Sequence, residues 1–249
     1  MSSRVKNLGL AMMVKNEHLR ITVTFDSVKD YISTMYIFDT GSTDGTQEII
    51  KKYCEKYDIT LHFKEGAFVN FQESRNVLLD FVDENSTADD YVILLDCNDE
   101  MQNMDNLVKF VNDYKGPCSG FYLTQRWWTG HSLDSYYNVR MLRPHFNWRY
   151  KNPVHEYIMT SLIEVDKKPH HEVVYNKVEN VFVFQDRTKD DDKSYKRFTR
   201  DKELLYSQHM KTPEESRTLF YLAQTCGCLG QHDEAYKYYL KRIKAGGFY

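Results

Sequence analysis

The chain has 249 residues, enough for one large domain with an appendage or for one undivided α/β domain. Its 33 basic residues stand against 36 acidic ones, and the net charge of -3 gives no general electrostatic reason to expect nucleic acid or an anionic membrane as partner. A local basic cleft for a phosphate remains compatible with that balance. No apolar run is long enough to cross a bilayer, and the opening Met1-Ser2-Ser3-Arg4 lacks the pattern of a signal peptide. The five cysteines, at 54, 97, 118, 226 and 228, are odd in number and lack paired metal spacing. They point to reduced thiols and a cytoplasmic setting.

In chain order, Leu8–Val14 reads as a buried strand and Leu19–Tyr31 as a helix. Met35–Phe38 is a second strand that runs straight into Asp39–Thr46. Gln47–Tyr57 places Ile49, Ile50 and Cys54 on one face of an amphipathic helix. Ile59–Phe63 makes a third strand, Phe71–Val82 a helix, and Tyr91–Leu95 a fourth strand that is apolar on both faces, as covered parallel strands are. This alternation predicts an α/β fold with a mostly parallel central sheet. Ligands in such sheets bind beyond the carboxyl ends of the strands, where residues 39–46 and 96–100 lie.

After a helix at Met104–Val111 the character changes. Gly120–Arg126 and Tyr136–Leu142 are strand-like, with Trp127, Trp128 and His131 in the loop between them. Residues 144–155 are aromatic and basic. Val173–Tyr175 and Val181–Phe184 read as two late strands split by an asparagine-bearing turn, and residues 186–193 as a solvated charged stretch. From Tyr195 the pattern is helical, with a second helix beginning near Pro213, a turn at Leu229-Gly230, and a third helix carrying Ala235, Tyr238 and Tyr239. Leu222-Ala223, Gly230, Ala235 and Tyr239 resemble one tetratricopeptide-type unit; an ordinary helical hairpin is the plainer reading. The expected division is an α/β domain over 1–190 and a small helical region over 191–249, through which copies of the chain could associate.

Three clusters carry candidate chemistry. Asp96, Asn98, Asp99 and Glu100 follow the fourth strand, where oxygen ligands suit a hard divalent cation bridging protein to phosphates. A solvated acidic turn capping the next helix explains the same residues. At 39–46, helix capping accounts for residues 42–46, whereas Asp39 has an acceptor-only side chain suited to a base N–H or a ribose hydroxyl. The glycine–lysine pattern of a phosphate-cradling loop is absent. His155-Glu156 pairs a carboxylate suited to general-base work with an imidazole that fits a metal, a diphosphate or a structural hydrogen bond. Arg126-Trp127-Trp128 offers stacking surfaces for sugars, or packing. Arg140 and Arg143 alternate along a strand, so at most one faces a cleft. His170 and His171 read as solvent-facing in a charged turn.

The ordered set Met13-Val14-Lys15-Asn16-Glu17, Asp39 to Thr46, Arg75-Asn76, Leu95 to Glu100, Arg140 to Arg143 and Val154-His155-Glu156 resembles family 2 glycosyltransferases of the GT-A fold. It is most similar to the cytoplasmic subgroup with tetratricopeptide-like helices after the catalytic domain. The resemblance implies an inverting transfer from a UDP-sugar to a hydroxyl of a glycan or protein, assisted by Mn²⁺ or Mg²⁺. It implies that Val14, Asn16 and Glu17 line the nucleotide pocket, that Asp39 contacts the uracil or ribose, and that Arg75 lies near base and diphosphate. Asp96 and the residue two further on would form the metal–diphosphate motif. Here that residue is Asn98, so metal binding would weaken or shift to Asp99, with His155 a further ligand candidate. Glu156 resembles the family's base. The family's histidine near the last strand is replaced by Gln185-Asp186, which makes Asp186 a second base or ligand candidate. Two other readings fit parts of the pattern: an inactive interaction module of the same fold, and a nucleotidyltransferase.

Overall fold

A computed structural model describes residues 4–160, 175–189 and 194–247. These fall into two compact units. One comprises 4–69, 74–150, 158–160 and 175–188, and the other 70–73, 151–157, 189 and 194–247. Among the described residues, no helix is long and apolar enough to cross a membrane.

The first unit is built on strands β1 (Leu8–Val14), β2 (Thr34–Asp39), β3 (Thr60–Glu65), β4 (Tyr91–Leu94), β5 (Glu100–Gln102), β6 (Gly120–Trp128), β7 (Leu133–Leu142) and β10 (Tyr175–Asp186). They form one sheet in the order β3-β2-β1-β4-β7-β6-β10-β5. The half from β3 to β4 is parallel, as the βαβ pattern predicts. Beyond β4 the sheet is mixed: β7 is antiparallel to both β4 and β6, β6 and β10 are parallel, and β5 closes the edge antiparallel to β10. Two further short strands, β8 (Trp148–Lys151) and β9 (Tyr157–Thr160), pair with each other.

Strand alternation divides the core in two. Leu8, Leu10, Met12 and Val14 face helices α1 (Ile21–Val28), α2 (Thr46–Lys56) and α4 (Met104–Asp113), packing with Phe25, Ile50 and Leu107. Ala11 and Met13 face the other way, toward Leu78, Leu79 and Val82 of α3 (Phe71–Glu84) and Trp148, Tyr150 and Ile158 of β8 and β9. Both faces of β1 and β4 are therefore covered, which is why those strands read as continuous apolar runs.

The second unit gathers helices α5 (Ser194–Lys211), α6 (Ser216–Cys228) and α7 (His232–Ala245) around Leu205, Leu219, Leu222, Ala223, Cys226, Ala235 and Tyr238. Val154 joins this core, so the segment at 151–157 packs with the helices. Gly230 turns the chain between α6 and α7 at φ 73°, a conformation that costs glycine little.

Several boundaries differ from the sequence expectation. Helix α1 is shorter than 19–31, because Leu19 is 78% exposed and residues 29–31 unwind into a turn. Trp127 and Trp128 lie on β6 itself, since the hairpin pairs as far as Trp128 with Leu133. The two late strands are one, β10; the expected turn is a ladder irregularity between Lys177 and Phe182, with Asn180 at φ 57°. Pro213 precedes α6 rather than opening it. Strands β5, β8 and β9 were absent from the expectation, being too short to show a period. His170, His171, Val173 and residues 190–193 lie outside the described residues, as does the expected boundary at 190/191.

A Cβ added at Gly120 would lie 2.5 Å from Trp148 Cη2 and 2.9 Å from Tyr175 Cδ1. Gly227, inside α6, has nothing within 4 Å of the same position. Gly120→Ala should destabilise the protein by about 1–3 kcal/mol through overpacking. Gly227→Ala should be neutral or stabilise it by up to about 1 kcal/mol. Thermal unfolding followed by circular dichroism compares them, and equal melting temperatures would contradict the packing described for Gly120.

Candidate active site

Two turns at the carboxyl ends of β1 and β2 are stitched together. Val14 pairs in register with Asp39, and its carbonyl accepts from Thr40 N and Oγ1 at 2.9 and 3.1 Å. Asn16, at φ 55°, donates its backbone N–H to Ser42 Oγ and accepts from Thr43 N on Oδ1. Glu17 N donates to Thr46 Oγ1 at 2.8 Å. Asp44 caps this arrangement, accepting from Thr46 N and Oγ1 on Oδ1 and from His18 N and Nδ1 on Oδ2. Burial opposes ionisation of Asp44, but these donors outweigh it and hold its carboxyl far below the usual range.

Asp39 is fully buried, with 0% exposure. Its Oδ1 accepts from Gly41 N at 2.8 Å and Ser42 N at 2.7 Å, with Gly41 at φ 99°. Half of this carboxylate thus builds its own turn. The other oxygen, Oδ2, is buried with no hydrogen-bond partner among the described residues. A buried acceptor left in that state costs about 1–3 kcal/mol, which a donor from a ligand would recover.

Two strands away, Asp96 follows β4 and carries two guanidinium contacts. Arg75 Nη2 donates to Oδ1 at 2.6 Å and Arg140 Nη1 to Oδ2 at 3.3 Å. Arg140 also donates to Leu94 O at 3.3 Å and, through Nε, to Gln125 Oε1 at 3.1 Å, and its Nη1 lies 3.6 Å from Asp99 Oδ2. Burial pushes Asp96 up, yet Arg75 and Arg140 prevail and hold its carboxyl well below the ordinary range. Its side chain keeps 37% exposure and is open to a ligand.

Asp99 has a different task from the reserve metal ligand expected of it. It is 0% exposed, and its Oδ2 accepts from the backbone N–H of Asp96 at 2.9 Å, fixing the turn from within. Burial raises its carboxyl to about 6, with Arg140 opposing and the Asp96 charge reinforcing. Asn98, at φ 116°, accepts from Gln185 Nε2 at 3.0 Å, and Thr24 Oγ1 accepts from Asn98 N while donating to Asp96 O.

The other candidates are held by other contacts. Asp186 lies next to Gln185 on β10 and hence on the opposite face from Asn98; its Oδ1 accepts from Thr188 N and Oγ1 in a turn. His155 and Glu156 belong to the second unit, where the His155 ring stacks on Tyr221 at 3.9 Å and its carbonyl accepts from Arg217 Nη2 at 2.6 Å. Arg143, one residue past the end of β7, turns away and donates to Ala88 O, whereas Arg140 meets the cluster. Among the described residues, no three or more His, Cys, Asp or Glu side chains converge as a metal site. Sequence reasoning missed Thr24, Gln125 and the positioning role of Gln185. Gln125 had a signal: it is the polar break in the apolar face begun by Phe121 and Leu123.

Arg140→Leu should lower unfolding free energy by about 2–4 kcal/mol in urea titration, because it strips a buried ion cluster of one partner. An unchanged unfolding midpoint would show that Arg140 is not structurally coupled to Asp96 and Asp99.

Comparison with known proteins places this geometry in context. Residues 10–162 match the family described as Glycosyl transferase family 2. The SPbeta prophage-derived glycosyltransferase SunS of Bacillus subtilis (strain 168) is 23% identical over 249 residues, an overlap of 97% of this chain and 54% of SunS. The chain thus spans about half the length of the curated relatives it matches. Among solved structures, S. aureus TarS 1-349 is similar with a TM-score of 0.49 and 12% identity, covering 97% of this chain and 81% of TarS 1-349. Glucosyl-3-phosphoglycerate synthase from Mycobacterium tuberculosis, in complex with Mn²⁺ and UDP-glucose, gives a TM-score of 0.34 and 14% identity over 50% of this chain and 45% of that one. With more than half of its length matched, the chain belongs to glycosyl transferase family 2.

Proposed function

We propose that this protein transfers a sugar from a UDP-sugar to a hydroxyl of a glycan or protein acceptor, with inversion at the anomeric carbon. The observation that carries this reading is Asp39 Oδ2, buried at the end of β2 without a hydrogen-bond partner among the described residues and suited to a uracil N–H or ribose hydroxyl. Strand β1 separates β2 from β4, so Asp39 and Asp96 lie roughly 10 Å apart across the sheet edge, about the reach of a nucleoside from base to phosphate. Val14, Asn16 and Glu17 border the same turn, and family membership supports the donor class.

In the transfer, the acceptor oxygen bonds to the anomeric carbon while the bond from that carbon to the diphosphate oxygen breaks. The electron pair leaves on the diphosphate, for which we assign Arg75 as the compensating charge. The hydroxyl proton goes to a carboxylate, which we assign to Glu156. A Mn²⁺ or Mg²⁺ ion bound with the donor would neutralise further charge on the leaving group. The residues present fit such an ion narrowly. Asp96 offers an exposed carboxylate and Asn98 an amide oxygen, and phosphate and water oxygens would complete the shell. Asp99, turned inward, would not take part.

Isothermal titration should show UDP binding to the folded protein and a loss of about tenfold or more in Asp39→Asn. No binding of UDP with or without Mn²⁺ would remove the donor assignment. Glu156→Gln should lower kcat by about 10²–10⁴ while leaving UDP affinity intact. Wild-type turnover by that variant would remove Glu156 as base. A nucleotidyltransferase would instead consume nucleoside triphosphates in a parallel screen.

A further inference from the structure

Strands β6, β7 and β10 carry the sheet face of Gln125 and Arg140 beyond the packed core. Gln125 stands opposite Tyr136 in the β6–β7 register, and Trp127, two residues on, stands opposite Asp134. Gln185, which holds Asn98, neighbours Trp127 in the β6–β10 register. Cross-strand neighbours share a face, as do residues i and i+2, so Trp127, Asp134 and Tyr136 continue the surface on which Arg140 meets Asp96.

The two rings form a corner, with centroids 5.0 Å apart and planes at 75°. The Arg187 guanidinium sits 4.4 Å from the centroid of Trp127. Neither ring belongs to any of the buried clusters, and Tyr136 is 38% exposed. They therefore stand outside the hydrophobic core. Burial raises the Tyr136 phenol, and the charges of Arg140, Asp99, Arg187 and Asp96 all act on it, as expected of a ring beside the Asp96 cluster. An aromatic corner held by backbone pairing, with a carboxylate and a guanidinium at its edges, is the composition that grips a sugar: apolar ring faces against carbon-bound hydrogens, polar groups against hydroxyls.

Sheet order supplies the direction. A donor lying with its base at β2 and its diphosphate at β4 next meets β7 and then β6, each roughly 5 Å further along. We infer that Trp127 and Tyr136, with Asp134 and Arg187 at the rim, form the subsite for the hexosyl group of the donor. This rests on the UDP-sugar reading above and adds to it the residues that select the sugar.

The test titrates wild type, Trp127→Ala and Tyr136→Ala with UDP and with UDP-glucose, UDP-galactose, UDP-N-acetylglucosamine and UDP-N-acetylgalactosamine, after circular dichroism confirms folding. UDP affinity should stay within about threefold in both variants, while the tightest UDP-sugar weakens about tenfold. Equal effects on UDP and UDP-sugar would overturn the subsite, as would variants that raise only the KM for an acceptor. Failure of UDP to bind the wild type would instead strike the donor reading itself. Saturation-transfer NMR on the unaltered protein gives an independent readout. Hexose ring protons should be enhanced along with those of uridine, and enhancement confined to uridine would overturn the subsite without any mutation.

Discussion

A guanidinium taken out of water must find acceptors around its whole fork, and Arg140 finds four: Leu94 O, Gln125 Oε1 and the carboxylates of Asp96 and Asp99. Those acceptors come from β4, from β6 and from the turn after β4, so one side chain ties three segments. The desolvation cost of such an ion cluster is large, and only complete pairing offsets it. That explains why Asp99 is sacrificed to the interior. With Asp96 drawn toward Arg75 and Arg140, the turn needs an inward acceptor for the Asp96 N–H, and Asp99 provides it.

The same cluster marks where the sheet changes character. From β3 to β4 the strands are parallel, and the turns at the carboxyl ends of β1 and β2 are stitched by backbone N–H groups and the carboxylates of Asp39 and Asp44. From β7 onward pairing is antiparallel or mixed, and the surface is built from side chains in register. Across that junction the sheet edge changes from backbone turns to side chains in register.

The parallel half was legible in the sequence because β1, β2 and β4 are buried along nearly their whole length and the helices between them carry apolar stripes. Leu8 to Val14, or Ile50 with Cys54, leave little choice of element. The mixed half was harder. Its strands alternate polar and apolar residues only in part, and pairing partners such as Trp127 and Asp134 are set by the hairpin rather than by either segment alone. The site was read as residues but not as partners. Asp39 and Asp96 stood out because carboxylates after apolar strands are unusual, whereas the inward turn of Asp99 depends on one backbone N–H that no sequence pattern encodes. Arg140 and Arg143 could be distinguished as a pair but not individually, since alternation gives opposite faces without saying which is which.

Residues 151–157 sit in sequence between two paired strands of the sheet-bearing unit, yet Val154 is buried in the helical core and Phe71 N donates to Pro153 O within the same unit. The chain therefore enters the helical unit three times. The helices are not a terminal cassette that recombination could exchange at one seam. A new helical array would have to carry a matching seat for Val154, and the candidate base beside it would travel with that match. A substitution in the helical core is then coupled, through Val154, to the conformation of the 151–157 segment.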